Sequence, residues 1–91
     1  MKIGRVVGSL WSTKKNDLLT GMKLMIVEPI NPLDADEKYQ PIVAVDSIGA
    51  GIGEDVIYAT GSSARKATLN QESPVDAAIL GIIDNIEIRN I

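Results

Sequence analysis

Short apolar stretches recur along the chain, separated by polar, glycine-rich or proline-rich segments. Four of them predict β-strands, because they are short and rich in β-branched residues: Lys2–Leu10, Met22–Glu28, Ile42–Ser47 and Asp55–Thr60. A fifth strand is predicted within Ile79–Ile91, where Ile86 and Ile88 alternate with charged residues. This spacing is typical of a small all-β domain.

The residues between these stretches predict how the strands bend and connect. Gly4 and Gly8 interrupt the first strand, which predicts a bulge or sharp bend there, and the first two strands are expected to pair. Ser62 or Ser63 is expected to cap a short helical turn that runs to Ala67, because a serine hydroxyl accepts hydrogen bonds from free helix N–H groups. A second single turn is predicted at Ser73–Asp76, before the last strand. The predicted fold is one all-β domain over residues 1–91, a small five-stranded OB-like β-barrel with one or two short helical turns.

The amino-acid composition excludes several classes of function for this chain. The chain has 91 residues and contains neither Cys nor His, which excludes disulfides, thiolate chemistry and the commonest general base and metal ligand. A net charge of −3 and only three aromatic residues argue against a nucleic-acid binder. No apolar run approaches the ~20 residues of a membrane span, and the N-terminus lacks the pattern of a signal peptide. The sequence therefore predicts a cytoplasmic protein with no cofactor, no nucleic-acid partner and no membrane partner.

The most unusual segment is Gly49-Ala50-Gly51-Ile52-Gly53, which joins the third and fourth strands. A dinucleotide-binding loop requires glycine at the sixth position and a following helix. Here the sixth residue is Glu54 and a strand follows, so a phosphate cradle is not predicted. Because glycine permits close approach of another backbone, the remaining explanation is a tight turn or a neighbouring copy of the same loop.

The charged residues do not predict catalysis. No spacing brings the acidic residues together as a metal site or an acid–base pair, so they are interpreted as solvated or ion-paired: Asp46, Glu54, Asp55, Asp76 and Asp84. Nucleophilic catalysis by Ser62 or Ser63 would need a base, and Lys66 is the only nearby candidate. Arg65 follows a tightly turning segment and is expected to pair with Asp46 or Glu54, within the chain or across a subunit boundary.

Several blocks, in order and at this spacing, resemble a known family, the vertex proteins of bacterial microcompartment shells, which include those of ethanolamine-utilisation compartments and carboxysomes. The matching residues span nearly the whole chain: Ile3–Gly8, Ser12–Lys15, Leu18, Gly21–Leu24, Val27–Pro29, Ala44–Glu54, Gly61–Arg65 and Pro74–Asp84.

The resemblance implies a structural protein rather than an enzyme. It implies a cyclic homopentamer that closes the five-fold vertices of a shell whose facets are hexameric proteins, with a narrow axial pore. A ring brings the copies of each near-axis residue together, so we expect the apolar, glycine-rich segment Gly49, Ala50, Gly51, Ile52 and Gly53 at the axis. A bulky residue at position 51 is expected to impair the ring. The residues expected at subunit interfaces are Asp46, Glu54, Ser62, Ser63 and Arg65, and those expected to contact facets are Lys14 and Lys15.

Two other functions stay open at this point. A co-chaperonin-like barrel also pairs a glycine-rich turn with a strand like Gly53–Tyr58, but it needs a long mobile apolar loop, and the loop at Trp11–Gly21 is short and polar. An OB-type nucleic-acid binder needs aromatic residues on a basic sheet face, and this acidic chain offers only Trp11, Tyr39 and Tyr58.

Overall fold

The computed structural model describes residues 1–11, 17–19, 21–68 and 74–89. It contains five strands, one short α-helix and a 3-10 turn at Asp17–Leu19. The strands are β1 (Lys2–Leu10), β2 (Lys23–Pro29), β3 (Ile42–Asp46), β4 (Asp55–Thr60) and β5 (Ala77–Ile82), and the helix α1 is Ser62–Lys66.

The five strands form a closed barrel in the order β1-β2-β3-β5-β4. All neighbours run antiparallel except β3 and β5, which are parallel and pair at Val45 and Ala78. Closure pairs strand edges that an open sheet would leave exposed. The prediction of a small five-stranded barrel is confirmed, as is the pairing of the first two strands.

The end of the chain differs from its prediction. The strand expected within Ile79–Ile91 begins earlier, at Ala77, and ends at Ile82. The alternation at Ile86 and Ile88 has the period of a strand, but β4 pairs with β5 only as far as Val56 and Ile82. The prediction of a strand over these isoleucines is therefore wrong, because an alternating segment needs a partner strand to become one.

The structure also differs from the prediction at the two expected helical turns. Helix α1 forms where a turn was expected, but its N-cap is Gly61, with φ of 66°, and no side chain caps it. Ser62 and Ser63 are its first helical residues, so the prediction of a serine cap is wrong. At the second predicted turn, Ser73 lies outside the described residues, and the described remainder, residues 74–76, is not helical.

Glycines shape β1. The register between β1 and β2 shifts between Val6 and Gly8, which confirms the predicted bulge. At Gly4 a Cβ atom would overlap Val27 Cγ1 and would lie 3.1 Å from Tyr58 Cε1. Glycine at position 4 therefore lets the β1 backbone lie directly against the core.

The barrel interior is filled mainly by aliphatic residues around the buried ring of Tyr58. A second cluster lies beneath α1, where Ala64 is fully buried against Val45, Val75 and Ala78. These clusters fix one end of β3 and the start of β4, which carry the loop described next.

Candidate functional site

The segment that carries the three closely spaced glycines, hereafter the glycine loop (residues 47–54), connects the end of β3 to the start of β4 at one end of the barrel. It is bonded to the bulged part of β1: the Val6 N–H donates to the Glu54 carbonyl at 2.9 Å, and the Gly53 N–H donates to the Val6 carbonyl at 2.7 Å. The loop is therefore held on both sides by strands of its own barrel.

Asp46 organises the first half of the glycine loop. Its carboxylate accepts three backbone hydrogen bonds, from Ile48 at 2.9 Å, Gly49 at 3.1 Å and Ala50 at 2.8 Å. The side chain is only 2% exposed, and a buried charge requires this kind of hydrogen-bond compensation. The Asp46 carboxylate therefore acts as an internal brace of its own chain, and its predicted contact at a subunit interface stays a prediction.

Glu54 braces the second half in the same way. Its Oε1 atom accepts a hydrogen bond of 2.7 Å from the Gly51 N–H, and the Glu54 N–H donates back to the Gly51 carbonyl at 3.2 Å. Gly53 has a φ of 94° and Gly49 a φ of 103°, a region that other residues rarely adopt. The loop conformation therefore depends on glycine at these two positions.

The loop turns one side chain inward and others outward. Ala50 is 5% exposed and packs in the barrel core, so its side chain is not available to line an axis as expected, although its backbone belongs to the loop. Ile52 is 66% exposed and Ile48 is 46% exposed. The outer surface of the glycine loop therefore consists of backbone, isoleucine and the exposed residues Ser47 and Glu54, and the Glu54 carboxylate is bonded to the loop itself.

Helix α1 carries the other predicted interface residues. Its start is fixed by a hydrogen bond of 2.8 Å from the Gly61 N–H to the Asp76 carbonyl. Ser62 and Ser63 are exposed, and Arg65 is half-buried. Among the described residues, the Arg65 guanidinium pairs neither with Asp46 nor with Glu54, so the proposed pairing within the chain does not form.

An ion pair that the sequence analysis did not identify lies beside the loop. Arg5 Nε lies 2.8 Å from Asp55 Oδ1, and the hydrogen bond to Asp55, followed by its charge, raises the pKa of Arg5. The pairing of β1 with β4 brings these two residues opposite each other. Only that register identifies the pair, since the residues are 50 positions apart in sequence.

The described residues contain neither a metal-binding cluster nor a membrane-spanning helix. No group of three or more acidic side chains converges among them as a metal site. No helix in the described part of the chain is long and apolar enough to cross a membrane. The predicted facet contacts Lys14 and Lys15 lie outside the described residues.

Comparison with known proteins identifies the family. The family described as "Ethanolamine utilisation protein EutN/carboxysome" matches residues 1–84. This chain belongs to the EutN/CcmL family. Among its relatives is the bacterial microcompartment shell vertex protein GrpN of Rhodospirillum rubrum, which is 45% identical over 91 residues, covering 99% of this chain and 100% of GrpN.

Solved structures of EutN/CcmL proteins have the same fold. A structure described as ethanolamine utilization protein EutN matches with a TM-score of 0.90 and 41% identity, covering 97% of this chain and 91% of EutN. The GrpN pentameric microcompartment shell protein from Rhodospirillum rubrum matches with a TM-score of 0.85 and 40% identity, covering 98% of this chain and 100% of GrpN. The resemblance inferred from the sequence is therefore confirmed at the level of family and fold.

Proposed function

We propose that this chain is a structural protein of a bacterial microcompartment shell that assembles into a homopentamer and closes the shell's five-fold vertices. The observation that carries the proposal is its near full-length similarity, at 40% identity, to a relative described as a pentameric shell protein. The relative GrpN is likewise described as a shell vertex protein. The proposed role is assembly rather than catalysis.

The glycine loop is the proposed near-axis element. A head-to-tail ring places the same loop of every subunit around one axis, so its exposed surface meets identical copies. The backbone of the loop and Ile52 suit that position because they carry no charge, and the exposed Glu54 carboxylate is held by a hydrogen bond to its own loop. The hydrogen bonds of Asp46 and Glu54 to their own loop keep the two nearest acids occupied. A narrow axial pore between the loops is part of this proposal.

The proposed contacts away from the axis involve polar residues. Ser62 and Ser63 are exposed at the start of α1, and Arg65, without a carboxylate partner among the described residues, is available to a carboxylate of the adjacent subunit. Lys14 and Lys15 are the proposed contacts to hexameric facet proteins. These assignments extend the proposal to the ring interface and the surrounding shell.

Substitution of Ile52 by Glu tests the near-axis assignment. Ile52 is 66% exposed, so a glutamate is tolerated by the isolated fold, but in a ring it places five like charges close together. Native mass spectrometry of I52E is expected to show loss of the pentamer at concentrations where the wild type is assembled. Leu33→Glu is the matched control, because Leu33 is 75% exposed in the loop at the opposite end of the barrel. A stable I52E pentamer contradicts the near-axis assignment.

A further inference from the structure

After β5 the chain leaves the barrel and pairs with no strand in the described part of the chain. Its last backbone hydrogen bond to the barrel is donated by the Ile83 N–H to the Asp55 carbonyl, at 2.8 Å. Residues 84–89, hereafter the C-terminal arm, are all exposed. None of them is hydrogen-bonded to another part of the described chain.

The C-terminal arm nevertheless has the pattern of a half-buried strand. Ile86 is 39% exposed and Ile88 is 47% exposed, and these isoleucines alternate with Glu87 and Arg89. Alternation places the isoleucines on one face and the charged residues on the other. A strand of this pattern is stable when its apolar face packs against a surface, and its own chain covers only about half of each isoleucine.

The two charged residues that alternate with the isoleucines compensate each other. Arg89 lies 3.2 Å from Glu87 Oε1, so the acid and the base pair with each other. These two residues therefore contribute no net charge, and the one uncompensated charge of the arm is that of Asp84 at its base. An apolar surface, rather than a strongly charged one, is the complement of its remaining face.

The position of the arm brings a neighbouring subunit within reach. The arm starts beside Asp55, the first residue after the glycine loop, at the end of the barrel where we place the ring axis. Six extended residues span roughly 20 Å, and the two short dimensions of the chain are 23 and 21 Å. The arm is thus long enough to cross from its own barrel onto the next one.

The same end of each copy also offers apolar side chains. Trp11 is 93% exposed, Leu10 is 42% exposed and Ile52 is 66% exposed, and all three line a groove of about 420 Å³. In a ring each subunit supplies one arm and one such surface, so every arm meets an equivalent acceptor.

We propose that the C-terminal arm packs the isoleucine face of Ile86 and Ile88 onto the barrel of the adjacent copy and so fastens neighbouring subunits to each other. This inference rests on the proposed ring. It adds a specific contact, because the part of each isoleucine that its own chain leaves exposed is covered by a second copy.

Photo-crosslinking tests this contact directly. With p-benzoylphenylalanine in place of Ile88, irradiation of the assembled protein is expected to give covalent dimers and higher multiples on a denaturing gel. The same substitution at Leu33, exposed at the opposite end of the barrel, measures the background from collisions. Absence of dimers above that background overturns the role of the arm.

A second variant measures what the arm contributes. I86S/I88S is expected to raise the concentration at which the ring half-dissociates by about 10-fold or more, since two apolar side chains lose their buried surface. Glu87→Gln, on the other face of the arm, is the matched control and is expected to leave that concentration nearly unchanged. An I86S/I88S ring as tight as the wild-type ring overturns the proposal.

The native mass of the wild type separates the two proposals. A wild-type monomer overturns the ring and the arm together, whereas a wild-type pentamer without crosslinks overturns the arm alone.

Discussion

Asp46 gives the sharpest prediction about what holds the glycine loop in place. Its carboxylate is 2% exposed and accepts the backbone N–H groups of Ile48, Gly49 and Ala50. Asp46→Asn keeps the shape of the side chain but replaces one acceptor oxygen with an NH2 donor. Whichever way the amide is turned, that donor faces at least one N–H that needs an acceptor.

The magnitude follows from these three bonds. An amide that keeps its oxygen at the Oδ1 position still accepts from Ile48 and Gly49, but without the charge that makes such bonds about twice as strong. The Ala50 N–H then faces a donor in a buried site, and an unsatisfied buried group costs ~1–3 kcal/mol. With the weakening of the other two bonds, we expect D46N to lower the free energy of unfolding by roughly 2–4 kcal/mol.

Chemical denaturation followed by circular dichroism measures this loss. Asp55→Asn is the matched control, because it makes the same chemical change in a partly exposed ion pair with Arg5. The expected loss of unfolding free energy there is ~0–1 kcal/mol. Both variants are compared at one protein concentration, since assembly adds to apparent stability. If D46N is no less stable than D55N, Asp46 is not the brace of the glycine loop.

Two further predictions concern the barrel. Gly4→Ala is expected to lower the free energy of unfolding by about 1–3 kcal/mol in thermal or urea unfolding, because the added Cβ overlaps Val27. Gly81→Ala is the control, since its added Cβ meets no atom within 4 Å. Equal stabilities of the two variants contradict the packing argument. Burial raises the pKa of Tyr58, so its pKa in the folded state exceeds its value in the unfolded state. The stability contributed by the neutral phenol is therefore fully present below pH ~10 and is lost as the pH rises through the folded-state pKa. In the variant Tyr39→Phe, Tyr58 is the one remaining tyrosine, and absorbance titration at 295 nm is expected to show it ionising at a higher pH than free tyrosine. An ordinary tyrosine pKa in this variant contradicts the effect of burial.

The sequence pattern predicted the strands best where an apolar stretch had a partner in the same chain. β1 to β4 lie within a residue or two of their predicted bounds, because local alternation and barrel pairing favour the same conformation. At Ile86 and Ile88 the same alternation failed to predict structure, since pairing depends on residues far away in sequence or on another chain. Alternation is thus a local property of the sequence, whereas the partner that turns an alternating segment into a strand is not.

The site was predicted in outline but not in detail. Three glycines in five positions located the loop, and the positive φ values of Gly49 and Gly53 give the steric reason for two of them. The direction of each side chain was not predictable: the Ala50 side chain packs in the core, and the Asp46 carboxylate accepts hydrogen bonds from its own loop. These orientations follow from how the loop crosses the end of the barrel, which the order of residues alone does not specify.

The central claim is that this chain assembles as a ring of five. Native mass spectrometry of the unmodified full chain tests it most directly, because it counts subunits without assuming which residues touch. The account predicts one dominant species at about five times 9.7 kDa. A dominant monomer, or a ring of seven, contradicts it.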